Sequence, residues 1–166
     1  VAEILAKRTQ LIEPTMAYTA GLVHDIGKVG LDQYVNDTYP LFYRRVMERT
    51  EDVIHIEKRL LHIDHTQVGF LLANRWSFPD LLADAIRHHH HPANAEKHPE
   101  LAKIVYLADL LMSRFLTGLE IERLDTRTLS AHLDALGLTI GDFSDLVDAI
   151  PSAVFEDASD ATMATA

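Results

Sequence analysis

The sequence predicts an all-α fold, a compact single-domain helical bundle. Three observations lead there. Apolar residues recur at helical spacing along almost the whole chain. No stretch alternates apolar and polar residues with the period of two that a half-buried strand requires. The chain has 166 residues, 48% apolar and 24% charged, which is ordinary globular composition and enough for one real core.

The elements follow in order. A first helix is expected over residues 2–12, closed by Pro14. A second is expected over residues 15–29. Placed at 100° steps, Met16, Ala20, Leu22, Val23, Ile26 and Val29 cover nearly its whole circumference, so this helix should be buried. His24, Asp25 and Lys28 interrupt that surface on one arc of roughly 100°. A third helix is expected over residues 40–49, with Pro40 tolerated in its first turn. A fourth spans residues 51–61. Asp64-His65-Thr66-Gln67 resembles a capping box and opens a helix that runs to about Trp76. Ser77-Phe78-Pro79-Asp80 starts the next, which ends in the histidine run before Pro92. Residues 92–99 are polar and proline-flanked, hence a loop. A strong helix over 101–116 is stopped by Gly118. Shorter helices are expected over 126–136 and 141–150. Residues 1–156 should form one domain, and residues 157–166, small and polar, a disordered tail.

Bulk properties exclude several function classes. The net charge is −10 with histidine neutral, part of it in the acidic stretch from Glu156 to Asp160. Duplex nucleic acid is therefore not the expected partner, because affinity for it comes from cationic contacts to phosphate. Arg44 and Arg45 could form a local cationic patch that net charge does not register. No apolar run approaches the ~18 residues of a membrane span, and no signal peptide is visible, so a cytoplasmic location is expected. With no cysteine, disulfides and thiolate ligands are excluded. A metal site would have to use nitrogen and oxygen donors. The chain begins at Val1 rather than methionine, and part of the domain is expected to precede it.

Ten histidines are many for this length. A buried carboxylate is costly unless it is paired or bound to a metal. Beside a histidine, in the polar notch of an apolar helix, Asp25 most economically serves as a ligand. His65 shares a helix face with Val68, Leu72 and Trp76, the face expected to point inward; alone, it equally fits a hydrogen-bonded core histidine. In the run His88-His89-His90-His91, His89 falls in the middle of the arc formed by Leu81, Leu82, Ala85 and Ile86. His91 lies with Asp80, Asp84 and Arg87 on the solvated arc, where a cationic histidine suits the helix end. His88 and His90 flank the apolar arc on either side, and the helical wheel does not choose between them. Asp109 borders a polar stripe of Lys103, Tyr106 and Ser113 and fits a solvated or salt-bridged carboxylate as well as a ligand.

These motifs resemble a known family. Gly21-Leu22-Val23-His24-Asp25-Ile26-Gly27-Lys28 looks like the signature of the HD metal-dependent phosphohydrolase superfamily. His65-Thr66-Gln67-Val68-Gly69, Trp76-Ser77-Phe78-Pro79, Ala85 to Pro92 and Leu107-Ala108-Asp109 then follow in the order found in HDOD domains. Those are the HD-related output domains of bacterial signalling proteins, and the resemblance covers roughly residues 1–116. Carried over by position, it implies metal ligation by His24, Asp25, His65, His89, His90 and Asp109. It thereby selects His89 and His90 within the run. It implies a phosphate-facing role for Lys28 and a catalytic role for Asp25 together with Lys28. Two departures stand out. The family's first histidine ligand, on the preceding helix, has no counterpart before His24. The Gly-Tyr-Pro motif of HD-GYP proteins is replaced by Pro92-Ala93-Asn94-Ala95-Glu96-Lys97, so the resemblance does not extend to cyclic-di-GMP hydrolysis.

What the resemblance implies is a bacterial signal-transduction output or regulatory domain that retains a His/Asp metal site. The alternative is an active metal-dependent phosphohydrolase or phosphodiesterase, with ions that activate water and neutralise phosphoryl charge. The expected cofactor is one or two divalent ions, with Fe, Mn, Zn, Ni and Mg all compatible with these donors. The expected partners are other signalling domains or proteins, including a domain fused upstream, and a phosphate-containing small molecule. Neither duplex nucleic acid nor a membrane is among them.

Overall fold

The computed structural model describes residues 1–35, 52–116 and 126–151. All regular structure among them is helical. In chain order the elements are α1 (Ala2–Thr9), α2 (Pro14–Val23), α3 (Ile26–Val35), α4 (Val53–Leu61), α5 (His65–Arg75) and α6 (Asp80–His88). A 3₁₀ turn at Pro92–Asn94 follows, then α7 (Pro99–Leu116), α8 (Thr126–Asp134) and α9 (Ile140–Asp148). The expected helix over 40–49, the Arg44–Arg45 pair, the Gly118 stop and the tail from residue 157 lie outside the described residues. No helix among the described residues is long and apolar enough to cross a membrane.

The chain divides into two compact units, one of residues 1–21 with 103–166, the other of residues 22–102. In the first, Leu5, Ala17, Ile104, Leu107, Leu133 and Leu146 are buried. Arg8 on α1 reaches α9, with its guanidinium 2.6 Å from Asp142 and 3.4 Å from Asp145. A capping box starts α9: the Thr139 hydroxyl accepts the Asp142 N–H while the Asp142 carboxylate accepts the Thr139 N–H.

In the second unit α3 packs on α5, and α5 on α6. Ala73, Ala83 and Ile86 form a small core, covered by Val23, Ile26, Phe70 and Phe78. Two glycines allow the close approach. A β-carbon on Gly27 would overlap the backbone of His65 and Gly69, and one on Gly69 would meet Ile86. The caps follow the sequence. Asp52 opens α4 by accepting the Ile54 N–H, His62 closes it in the left-handed conformation, and Asp64 opens α5 by accepting the Gln67 N–H.

Two expectations are corrected. The helix foreseen over residues 15–29 is two helices, α2 and α3, with a turn at His24 and Asp25. The Lys28 N–H bonds to the Asp25 carbonyl at 2.8 Å, an i→i+3 closure tighter than an α-helical turn. Gly27 is a poor helix former, and its approach to α5 fixes where α3 must begin. The break also shifts the phase of the apolar residues. Ala20 and Gly27 take the buried positions, while Leu22 and Val29 are 66% and 72% exposed rather than inside. Trp76 is likewise half-exposed instead of facing the core with His65. It is the C-cap of α5, outside the helical register, and the buried face of that helix is His65, Thr66, Gly69 and Ala73.

Candidate metal centre

His65 and His89 are the two fully buried histidines of the second unit, 0% and 1% exposed. His65 is the first residue of α5, and its ring Nδ1 lies 2.7 Å from Glu57 Oε2. A carboxylate oxygen only accepts, so Nδ1 carries the hydrogen and Nε2 presents its lone pair. His89 caps the end of α6, and its Nδ1 lies 2.8 Å from the Ile86 carbonyl oxygen. The same logic places its hydrogen on Nδ1 and leaves Nε2 bare.

The two bare nitrogens face each other at 3.4 Å. His90 Nε2 approaches His65 Nε2 to 3.1 Å. Asp25 Oδ1 lies 3.3 Å from His65 Nε2 and 3.6 Å from His89 Nε2. It is buried and receives no hydrogen bond of good geometry. Lone pairs turned on one another without hydrogen between them repel, unless a cation sits among them. The shorter separations, 3.1, 3.3 and 3.4 Å, fit that cation. Ligand atoms bonded at about 2.1 Å to one ion stand roughly 3.0–3.4 Å apart at octahedral or tetrahedral angles. One donor atom from each of Asp25, His65, His89 and His90 lies within 4.8 Å of all the others. These side chains fit a divalent ion with nitrogen and oxygen ligands.

Electrostatics agree. Burial works against ionisation of Asp25, but the charged neighbours, Lys28 the nearest among them, outweigh it and hold the carboxyl well below the usual carboxylate range. Asp25 is therefore an anion at neutral pH. Burial lowers the pKa of His89, which keeps it neutral and able to coordinate. Lys28, half-exposed, holds the outer oxygen of Asp25 at 2.6 Å.

The turn at His24 and Asp25 sends these two side chains toward α5 and α6. His24 flanks the donors, its Nε2 3.5 Å from Asp25 Oδ2 and its ring 4.9 Å from that of His89. Asp109 is partly buried on α7, at the part of that helix belonging to the unit of residues 1–21 and 103–166. Its assignment as a ligand rests on the resemblance. Within the histidine run, His91 is exposed, and His88 turns to Asp84 at 3.8 Å.

Sequence reasoning missed Glu57. It is 2% exposed and accepts both the backbone N–H and the ring Nδ1–H of His65. A signal was present. Glu57 lies three residues after Ile54 and four before Leu61, a carboxylate within the apolar stripe of an amphipathic helix.

Comparison with known proteins places this geometry in context. The HDOD domain model matches residues 1–92. An uncharacterized protein of Treponema pallidum is 27% identical over 103 residues, covering 61% of this chain and 20% of that protein. Ribonuclease Y of Thermus thermophilus is 32% identical over 85 residues, covering 51% of this chain and 10% of the enzyme. Among solved structures, an HDOD domain protein of unknown function from Geobacter sulfurreducens is 27% identical, with a TM-score of 0.70 over 96% of this chain and 57% of that one. A Shewanella amazonensis protein provisionally named a phosphohydrolase is 24% identical and shares the fold, with a TM-score of 0.74 over 96% of this chain and 58% of that one. The chain thus spans a minor part of the curated relatives and under two thirds of the solved ones.

Proposed function

The chain belongs to the HDOD domain family, and from that premise we propose that it is a cytoplasmic signal-transduction output module that keeps a divalent-metal site. The observation supporting this reading is the confrontation of bare Nε2 atoms of His65 and His89 beside the buried oxygen of Asp25. A scaffold with no use for a cation would not set two imidazoles, their hydrogens held on Nδ1, with bare Nε2 atoms against a buried carboxylate oxygen. The ligand set we assign is Asp25, His65, His89 and His90, with His24 and Asp109 as the further ligands that the family resemblance supplies. The module acts through contacts with other signalling domains or proteins, including one fused upstream.

One observation favours a second reading, a metal-dependent phosphohydrolase or phosphodiesterase. Lys28 sets a half-exposed ammonium 2.6 Å from Asp25, next to the donors and within reach of solvent. A bound ion would supply Lewis acidity toward water and phosphoryl oxygens. Lys28 would bind and orient a phosphate oxygen. Asp25, kept ionised, would stand between the histidines and that lysine and hold both in place. The paired Nδ1–H bonds would keep the rings of His65 and His89 from turning during turnover.

The deciding experiment is elemental analysis of protein purified without a histidine tag, followed by a hydrolysis screen of the Mn- and Fe-loaded protein. The screen covers cyclic dinucleotides, nucleotides and generic phosphodiesters. Metal without turnover supports the signalling module. Turnover abolished by Asp25→Asn supports the enzyme. Absence of metal after purification and reloading sinks both.

A further inference from the structure

We propose that Glu57 is the positioning residue of this centre: it presents His65 to the metal and is not itself a ligand. The proposal rests on the metal reading above. Three observations carry it. A single oxygen, Glu57 Oε2, receives the His65 backbone N–H at 2.9 Å and the ring Nδ1–H at 2.7 Å. Main chain and ring are thereby tied to one point, so the imidazole cannot turn about its Cβ–Cγ bond without losing a hydrogen bond. Second, Glu57 and His65 are both buried, at 2% and 0% exposure, where a charge-assisted bond is little weakened by water. Third, the bond fixes the tautomer. With hydrogen held on Nδ1, Nε2 is left to face Asp25, His89 and His90. A carboxylate behind an imidazole ligand also raises its basicity and strengthens coordination.

A purely structural role is the competing account. The N-terminus of a helix favours a carboxylate, and Glu57 does satisfy the first N–H of α5. That helix already has its cap, however, since Asp64 accepts the Gln67 N–H at 2.9 Å. Capping explains the bond to the backbone and leaves the bond to Nδ1 without a purpose.

The tautomer can be read directly. Long-range ¹H–¹⁵N spectra of the metal-free full chain, at a pH where its imidazoles are neutral, report which ring nitrogens carry hydrogen. His65 is expected to carry it on Nδ1; a bare Nδ1 in the wild-type protein overturns the proposal, with no variant required. Calorimetric titration with Zn²⁺ then compares wild type, Glu57→Gln, His65→Ala and the double variant. Glu57→Gln should weaken binding about 10- to 100-fold, and should cost nothing further once His65 is gone. No loss, or the same loss in both backgrounds, shows that Glu57 acts on the fold and not through His65, and overturns the proposal. Wild-type protein that binds no Zn²⁺ or Mn²⁺ would sink the metal reading instead, and the ring spectra would still decide whether Glu57 orients His65.

Discussion

The α-carbon of Gly27 rests directly on the backbone of His65, with no room between them for a methyl group. The contact holds the start of α3, and with it Asp25, against the first turn of α5. Gly27→Ala would force the two helices apart. We expect a loss of about 3 kcal/mol or more in denaturant unfolding, at the upper end of overpacking costs. Gly141→Ala is the control. Its added methyl meets only ordinary contact with Thr139 in α9, and it should stabilise by roughly 0.5–1 kcal/mol.

The histidine run offers a test within four consecutive residues. His89→Ala should strip most of the metal from the purified protein, because it removes a buried donor facing Asp25 and His65. His88→Ala and His91→Ala should leave metal content within error of wild type, since one turns to Asp84 and the other is exposed. Equal losses in all three would mean that the run contributes charge and not coordination. Elemental analysis per mole of protein reads the result.

Asp25→Asn and Lys28→Met separate holding a metal from handling a phosphate. The first keeps side-chain size but removes the anionic oxygen beside His65 and His89, so metal content should fall at least tenfold while the far-UV circular dichroism stays unchanged. The second leaves the donors intact and should leave metal content unchanged. If the protein hydrolyses phosphodiesters, Lys28→Met should raise KM or lower kcat without demetallation; metal loss equal to that of Asp25→Asn would assign Lys28 to the centre itself.

Acid should weaken the Arg8–Asp142 link in a defined direction. The Thr139 side chain, then the Arg8 guanidinium and the Thr139 backbone N–H, hold the Asp142 carboxyl well below its ordinary range. A folded-state pKa below the unfolded value, about 3.9, means that folding favours the ionised form. The contribution is complete above about pH 4 and is lost as pH falls further, through the lowered folded value. The gap in Tm between wild type and Asp142→Asn should therefore be widest near neutrality and close in acid. A gap that stays constant from pH 7 to pH 2 would show that the carboxylate charge is irrelevant.

How far the sequence speaks for itself differs from residue to residue. His89 was legible because it occupies the centre of an apolar arc, and burial follows from that arc directly. The caps at Asp64 and Thr139 sit at helix starts, where short polar side chains serve orphan N–H groups; only the first was anticipated. The break at His24 and Asp25 was not legible. Nearly continuous apolar spacing reads as one helix, and the contact that ends it belongs to Gly27 and a helix almost forty residues further on. Glu57 escaped for a related reason. Its partner lies on the next helix, so neither residue announces the pair until both are placed in space.

The short chain separation between Glu57 and His65 bears on the order of assembly. Carboxylate and imidazole are eight positions apart along the sequence, across a helix end, a tight turn and a cap. Loops of about ten residues close in roughly 10–100 ns. His65 is therefore expected to be oriented while the chain is still largely open, before the partner nitrogen of His89, 24 residues on, arrives. The expected assembly of this corner is a hierarchy in time: one imidazole is locked by its neighbour first, and the remaining donors close upon a ligand that already faces the right way.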